Sequence, residues 1–388
     1  MNTAQRDGLL LAASAVVGMV LMNSPWASAF EHTLRTPVQI GIGSAVLQKP
    51  IALWINDFLM AIFFLAVGIE IKHEWQHGAL STPQARVLPF GAALGGMAVP
   101  ALIYVAFNWG HPANLSGWAV PSATDIAFAL GLMALAAPKT RPMLLAFLTA
   151  VAVLDDLGAI IVIALFYTDQ LSKTMLALAS VAVLALFILS SLRVRRVWPY
   201  VAVGLLLWLC VLKSGVHATL AGVVMGLLIP SPQDDHKSID KNPSRPNPSK
   251  TIEHAIKPWI SWVILPLFGV VNAGVALSGF GWAALAQPVT LGIAFGLLLG
   301  KPVGILLGIW AASKVGGGLP QGLKLADYLP VACFCGIGFT MALFMATLAF
   351  DAGSAAASAA KLGVLMGTLL ALALGTVVAR WRAGAAKL

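Results

Sequence analysis

Leu154-Asp155-Asp156-Leu157 sets two adjacent carboxylates in the middle of an apolar stretch that runs from Leu144 to Tyr167. Burying one charge at bilayer depth costs roughly 2.5–3.5 kcal/mol on insertion scales. Two side by side also repel, so at least one is expected to carry a proton or to meet a cation. A helix that only packs against its neighbours gains nothing from this arrangement. A site that exchanges protons for cations requires it.

The rest of the chain has the composition of a membrane protein. Hydrophobic residues make up 59% of the 388 and charged residues only 10%, with a mean hydropathy of +0.88. A soluble domain carries about 25% charged residues, so this chain cannot cover itself with a water-facing surface. Apolar runs of about 20 residues, the length of a membrane-spanning helix, recur from end to end. The expected fold class is therefore an all-α polytopic membrane protein, with residues 1–388 forming one membrane unit. The formal charge of +9 does not point to nucleic acid, because the basic residues punctuate the apolar segments rather than forming a patch. Cys210, Cys333 and Cys335 lie in apolar segments and read as small packing residues, not as a disulfide or metal site. Ala27-Ser28-Ala29 resembles a signal-peptidase site, but Arg6 is offset by Asp7, and a retained first membrane helix is the better reading.

Twelve spans fit the sequence, near residues 9–28, 52–71, 88–107, 117–137, 143–167, 174–192, 198–212, 215–229, 258–280, 289–312, 328–350 and 360–380. With the N-terminus in the cytoplasm, 18 Lys and Arg fall inside and five outside, leaving Lys301 within the membrane. That bias supports both an even number of spans and cytoplasmic N- and C-termini. The longest polar interruption, Ser231 to Lys250, carries Pro232, Pro243, Pro246 and Pro248 among charges. It reads as a cytoplasmic linker (231–252) between eight spans in 1–230 and four in 253–388.

Four acids lie within the expected spans: Asp57, Asp125, Asp155 and Asp156. Asp57 sits early in its span, near an aqueous interface, and is an accessory candidate. Asp125 ends the run Val120-Pro121-Ser122-Ala123-Thr124-Asp125, where proline removes a backbone donor and small polar residues cluster, so a helix can unwind there. Adjacent helical residues differ by about 100° in direction, so Asp155 and Asp156 are expected to take distinct roles, Asp155 facing the lysine and the proton and Asp156 being chiefly the cation ligand. Lys301, between Gly300 and Pro302, is the deep base available to them; it is either a proton carrier or a structural counter-ion. A second interruption falls at Cys335-Gly336-Ile337-Gly338-Phe339-Thr340. Two interrupted spans in corresponding positions of two halves point to an inverted-repeat transporter. Thr124 and the three carboxylates offer hard oxygen ligands suited to Na⁺ or Li⁺. His217 alone reads as packed or capped. Glu70, Lys72, His73 and Glu74 after the second span, with Glu253 and His254 before the ninth, form ordinary ion pairs or gate a cation pathway.

Taken together these runs resemble one family. Ala123-Thr124-Asp125-Ile126-Ala127-Phe128-Ala129-Leu130, Asp155-Asp156-Leu157-Gly158-Ala159-Ile160, Lys213-Ser214-Gly215-Val216-His217-Ala218-Thr219-Leu220-Ala221-Gly222, Asn272-Ala273-Gly274-Val275, Gly300-Lys301-Pro302 and Cys335-Gly336-Ile337-Gly338-Phe339-Thr340 are similar, in order, to the bacterial NhaA family of Na⁺/H⁺ antiporters. That family is itself a known example of the inverted-repeat pattern, so the two observations are not independent. The resemblance implies an inverted-repeat fold of twelve spans in which two interrupted helices, broken at Pro121 and at Gly336 and Gly338, cross near mid-membrane. It implies Na⁺ and proton binding at Asp155 and Asp156, with Asp125 and Thr124 nearby and Lys301 paired to Asp155. It implies electrogenic exchange of Na⁺ or Li⁺ for inward protons at the bacterial inner membrane, silent at acid pH, without a cofactor. A pH-sensing group maps onto Glu70, Glu74, Glu253 and His254, with His217 joining it, and a homodimer is a family expectation. His73 and Lys257 depart from the arginine and histidine expected there, which bears on the pH profile.

The rival readings are an intramembrane aspartyl protease using Asp125 and Asp155, a cation channel, and a sodium-coupled solute symporter of similar fold. The protease needs carboxylates sharing a proton and a Gly-x-Gly-Asp run that the chain lacks. Passive flux without proton coupling would mark the channel, and a substrate cavity the symporter.

Overall fold

The computed structural model describes residues 3–42, 45–138, 140–168, 171–231, 247–276, 282–315 and 318–385. Most of the expected linker, 232–246, lies outside them, as do Lys139, Lys237, Lys241, Arg245 and Lys387 of the inside-facing charges. In chain order the helices are Thr3–Met22 (α1) and Ala27–Arg35 (α2). A hairpin of Pro37–Ile42 (β1) and Ala45–Pro50 (β2) follows. Then come Ile51–Gln76 (α3), Pro83–Asn108 (α4), a 3-10 segment Pro112–Ser122, Ile126–Ala136 (α5) and Pro142–Phe166 (α6). Lys173–Ser191 (α7), Val197–Leu212 (α8), Thr219–Leu228 (α9) and Pro248–Ala273 (α10) follow. The last are Pro288–Val315 (α11), a 3-10 turn Leu325–Tyr328, Leu329–Phe334 (α12), Phe339–Ala349 (α13) and Ala355–Ala385 (α14).

Among the described residues eight helices are long and apolar enough to cross a membrane, and ten do if each of two bent pairs counts as one. The short apolar helices α8 and α9 lie where the seventh and eighth spans were expected. Two boundaries differ from the hydropathy reading. α1 stops at Met22 rather than near 28, because Asn23 turns its amide onto the carbonyls of Met19 and Val275, each at 2.8 Å, and Pro25 follows. α10 starts at Pro248, ten residues before the expected span. Asn247 caps it by accepting the Ser249 N–H at 3.2 Å, and Pro248 takes the first helical position.

Contacts group the chain into two compact units. One comprises Met1–Leu34, Glu74–Ala159 and Leu265–Leu388; the other Arg35–His73 and Ile160–Ile264. In the first, α4 and α11 pack with their backbones touching. A Cβ on Gly91 or Gly95 would overlap the carbonyl of Gly308 or Gly304, and the reverse holds. Small residues spaced by four let two membrane helices approach this closely. The second unit has an apolar core of Leu186, Tyr200, Leu207, Met225 and Ile229, with Trp54 and Phe58 packed on it and against Trp208. Large apolar side chains also point outward on the long helices, among them Leu102 at 67%, Leu165 at 72% and Leu369 at 65% exposure. Such a surface is stable only where the solvent is lipid.

Candidate functional site

Both interrupted helices lie in the first unit. The 3-10 segment ends at Pro121-Ser122, the chain runs extended through Ala123, and α5 starts at Ile126 after a bend of 52°. An 11-residue 3-10 run is unusually long, and Pro121 near its end has no N–H to give an α-helical bond to the preceding turn. In the second, α12 ends at Phe334, Cys335 to Gly338 leave the helix, and α13 starts at Phe339 after a bend of 60°. The two breaks are stitched together: the N–H of Asp125 donates to the Ile337 carbonyl at 2.8 Å. A Cβ on Gly338 would stand 2.9 Å from the Ala123 carbonyl, and one on Gly336 2.5 Å from that of Leu297. These two positions need glycine for close approach.

Asp125 holds the N-termini of both continuing helices. Its Oδ1 accepts the Phe128 N–H of α5 at 3.0 Å, and its Oδ2 accepts the Thr340 N–H of α13 at 3.0 Å as well as the Thr340 hydroxyl. A buried carboxylate between two positive helix ends is well placed electrostatically. Both its oxygens are occupied. The protease reading needs Asp125 and Asp155 to share a proton, and no hydrogen bond joins them here.

Asp155 and Asp156 of α6 are each 1% exposed. Lys301 Nζ donates to Asp155 Oδ2 at 2.5 Å, with both side chains sealed from solvent. The hydroxyl of Thr124 lies 2.8 Å from the same Oδ2 and 2.9 Å from the Cys335 carbonyl, and its one proton can serve one of them at a time. Asp155 Oδ1 is buried without a hydrogen-bond partner among the described residues. A desolvated carboxylate oxygen costs free energy when left unpaired, and a bound water or an ion is what such an oxygen accepts. Lys301 follows directly on a π-helical turn, Gly296–Gly300. There a Cβ on Gly300 would meet the Pro100 backbone at 2.8 Å, and one on Gly296 the Pro121 ring at 2.6 Å. A π-turn rotates the residues after it, and such turns gather at functional positions.

In the second unit Asp57 falls in another π-helical turn, Ile55–Leu59. Its Oδ2 meets Lys49 Nζ of β2 at 2.5 Å, and its Oδ1 lies 3.8 Å from His217 Nε2. His217 Nδ1 is 2.8 Å from the Thr219 hydroxyl. The sequence singled out Asp57 and His217 separately and did not single out Lys49. The Gly43-Ser44 dipeptide between two short runs of alternating character was the available sign of a hairpin. Of the remaining candidates, Glu74 in the first unit accepts the Ala79 N–H at 2.7 Å and closes the turn after α3. Glu70 and His254 in the second unit are exposed and Glu253 is half-buried.

The arrangement around Asp155 presents a carboxylate oxygen, a hydroxyl and a main-chain carbonyl beside an ammonium, with a second carboxylate on the next residue. Hard oxygens of this kind suit a small hard cation, and the same carboxylates take protons. Comparisons with known proteins agree over nearly the whole chain. The model of the family described as Na⁺/H⁺ antiporter 1 matches residues 1–379. A protein named Na⁺/H⁺ antiporter NhaA from Albidiferax ferrireducens is 49% identical over 381 residues, covering 97% of this chain and 95% of the relative. Its namesake from Rhodospirillum rubrum is 48% identical, over 96% of this chain and 94% of the relative. One named NhaA 2 from Shewanella denitrificans is 47% identical, over 94% and 90%.

Proposed function

This chain belongs to the NhaA family of Na⁺/H⁺ antiporters, and we propose that Asp155 and Asp156 form the site at which it exchanges Na⁺ or Li⁺ for protons. It is a membrane-embedded secondary transporter rather than an enzyme. The observation that carries the site is the buried Lys301–Asp155 pair, with Asp155 Oδ1 left open beside it.

In this reading the ammonium of Lys301 stands on Asp155 as a tethered cation. A Na⁺ entering at Oδ1 competes with that ammonium and with any proton on either carboxylate. Asp156 supplies the second negative charge, and Thr124 and the Cys335 carbonyl supply neutral oxygens. A protonated carboxyl holds Na⁺ poorly, so one site serves both ions in turn, and an inward proton gradient expels Na⁺ through alternating access. Two carboxylates discharging protons for one monovalent cation make the exchange electrogenic. Asp125 holds the crossing of the interrupted helices together and reaches a cation only if its caps open.

The same reading carries twelve spans, with α8 and α9 as the seventh and eighth, and both termini on the cytoplasmic side of a bacterial inner membrane. Glu70, Glu74, Glu253, His254 and His217 are the groups through which pH regulates it, and Asp57 is an accessory acid. A homodimer is its expected assembly.

The test is dequenching of a pH dye in proteoliposomes on adding Na⁺, Li⁺ or K⁺. Competition at one site predicts that the half-saturating Na⁺ concentration rises as pH falls, by up to about tenfold per pH unit for each proton displaced. Asp155→Asn is expected to abolish the response. A folded protein that moves no protons on Na⁺ addition refutes the function; full activity in Asp155→Asn refutes the site.

A further inference from the structure

One ion-paired carboxylate in the first unit has no part in the exchange so far. Asp327 lies in the 3-10 turn Leu325–Tyr328 that leads into α12. Its Oδ2 accepts the Lys324 N–H at 2.7 Å, and its Oδ1 takes a guanidinium N–H of Arg382 from the end of α14. Arg141, immediately before α6, acts on the same carboxylate through its charge and donates to the Gly322 carbonyl at 3.1 Å. The next residue, Tyr328, is buried, and its ring meets Phe147 of α6 edge-on, with centroids 4.7 Å apart. The starts of α6 and α12 and the end of α14 therefore converge on Asp327.

The same three helices meet again at the cation site. α6 carries Asp155, and α12 ends at the Cys335 carbonyl; these are the two partners of the Thr124 hydroxyl. Ala371 of α14 comes within 3.0 Å of where a Cβ on Gly336 would stand. Phe147 and Asp155 are eight residues apart on α6, and Tyr328 and Cys335 are seven apart across α12. The two meeting points are thus about two helical turns, roughly 12 Å, from each other. α12 has only six residues, so a shift of its start passes to its end with little to absorb it.

We propose that Asp327 is a positioning residue for the cation site: by tying the start of α12 to α14 and facing Arg141 just before α6, it sets the gap between Asp155 and the Cys335 carbonyl in which the Thr124 hydroxyl stands. The proposal rests on the reading of Asp155 as the cation ligand. It goes beyond that reading by making ion affinity depend on a partly exposed ion pair two turns away.

The experiment measures half-saturating Na⁺ and maximal rate in proteoliposomes for wild type, Asp327→Asn, Arg382→Gln and the double variant, with Asp155→Asn as the control for the site. Each single variant is expected to raise half-saturating Na⁺ about three- to fivefold, the scale of a partly exposed ion pair, with the maximal rate nearly unchanged. The double variant should be no worse than the worse single one, because both remove one interaction. Should Asp327→Asn not fold, Arg382→Lys carries the test, since lysine keeps the charge without the forked geometry, and it should shift half-saturation in the same sense. Wild-type half-saturation in these variants overturns the proposal, as does a fall in maximal rate alone or shifts that add in the double variant. Loss of the Na⁺ response in Asp155→Asn upholds the site itself, so a flat Asp327 series then counts against the positioning role alone.

Discussion

Asp125 takes both the backbone N–H and the hydroxyl of Thr340 on a single carboxylate oxygen, so the start of α13 hangs on a side chain 215 residues upstream. With the Phe128 N–H on its other oxygen, one buried residue caps two helices. Asp125→Ala is expected to cost about 2–4 kcal/mol, a lost cap plus unsatisfied buried donors. Thermal unfolding in detergent reads it out. An unchanged midpoint would show that the caps do not hold the crossing.

Lys301 and Asp155 form a pair fully withdrawn from solvent. Removing one partner strands the other, at about 3–5 kcal/mol, whereas removing both leaves no buried charge in the pair. Lys301→Met/Asp155→Asn should therefore be more stable than Lys301→Met alone. A double variant at least as unstable as Lys301→Met alone would contradict the pairing as the main electrostatic term.

The Thr124 hydroxyl stands between Asp155 and the Cys335 carbonyl and donates to one of them at a time. Thr124→Val keeps the shape and deletes the hydroxyl; Thr124→Ser keeps the hydroxyl. Valine should raise half-saturating Na⁺ about tenfold, the scale of a hydrogen bond to a charged group, and serine should raise it by much less. Equal effects of the two would remove the hydroxyl from the argument.

Gly336 has no room for a side chain, since a Cβ would stand 2.5 Å from the Leu297 carbonyl and 3.0 Å from the Ala371 methyl. Gly336→Ala should push the second break off the first at a cost of about 1–3 kcal/mol. Transport should fall more than protein yield. Wild-type transport in this variant would mean that the crossing has slack the geometry does not suggest.

Lys49 ties β2 to Asp57 at 2.5 Å. Both side chains keep some exposure, so the tie contributes no more than about 1 kcal/mol. Lys49→Gln should raise hydrogen exchange selectively in β1 and β2 and leave α9 protected. Uniform exchange across the second unit would count against a local tie.

The elements that sequence revealed are those written in one local pattern. Apolar length gave the long spans, and Pro121, Gly336 and Gly338 gave both breaks, because proline and glycine mark interruption wherever they sit. Asp125, Asp155 and Lys301 stood out because charge in an apolar run needs a reason. What escaped depended on partners far along the chain. That the Thr340 hydroxyl and the Cys335 carbonyl face Thr124-Asp125 follows from how two breaks cross, which no window of residues encodes. The π-turn before Lys301 is a change of register over five residues and leaves no compositional mark. The early start of α10 was hidden because its first turns are polar, and hydropathy does not register a cap at Asn247.

The facing glycines of α4 and α11 bear on how Lys301 can ever leave Asp155. Gly91 and Gly95 mesh with Gly308 and Gly304 like the teeth of a zip, carbonyl against Cα. Sliding one helix along the other would drive larger side chains into those notches until a full four-residue step, about 6 Å, had been taken. Axial slippage of α11 along α4 is thereby opposed. In the proposed exchange the ammonium therefore leaves Asp155 by swinging its own stem or by relative movement of α6 and the paired α4 and α11.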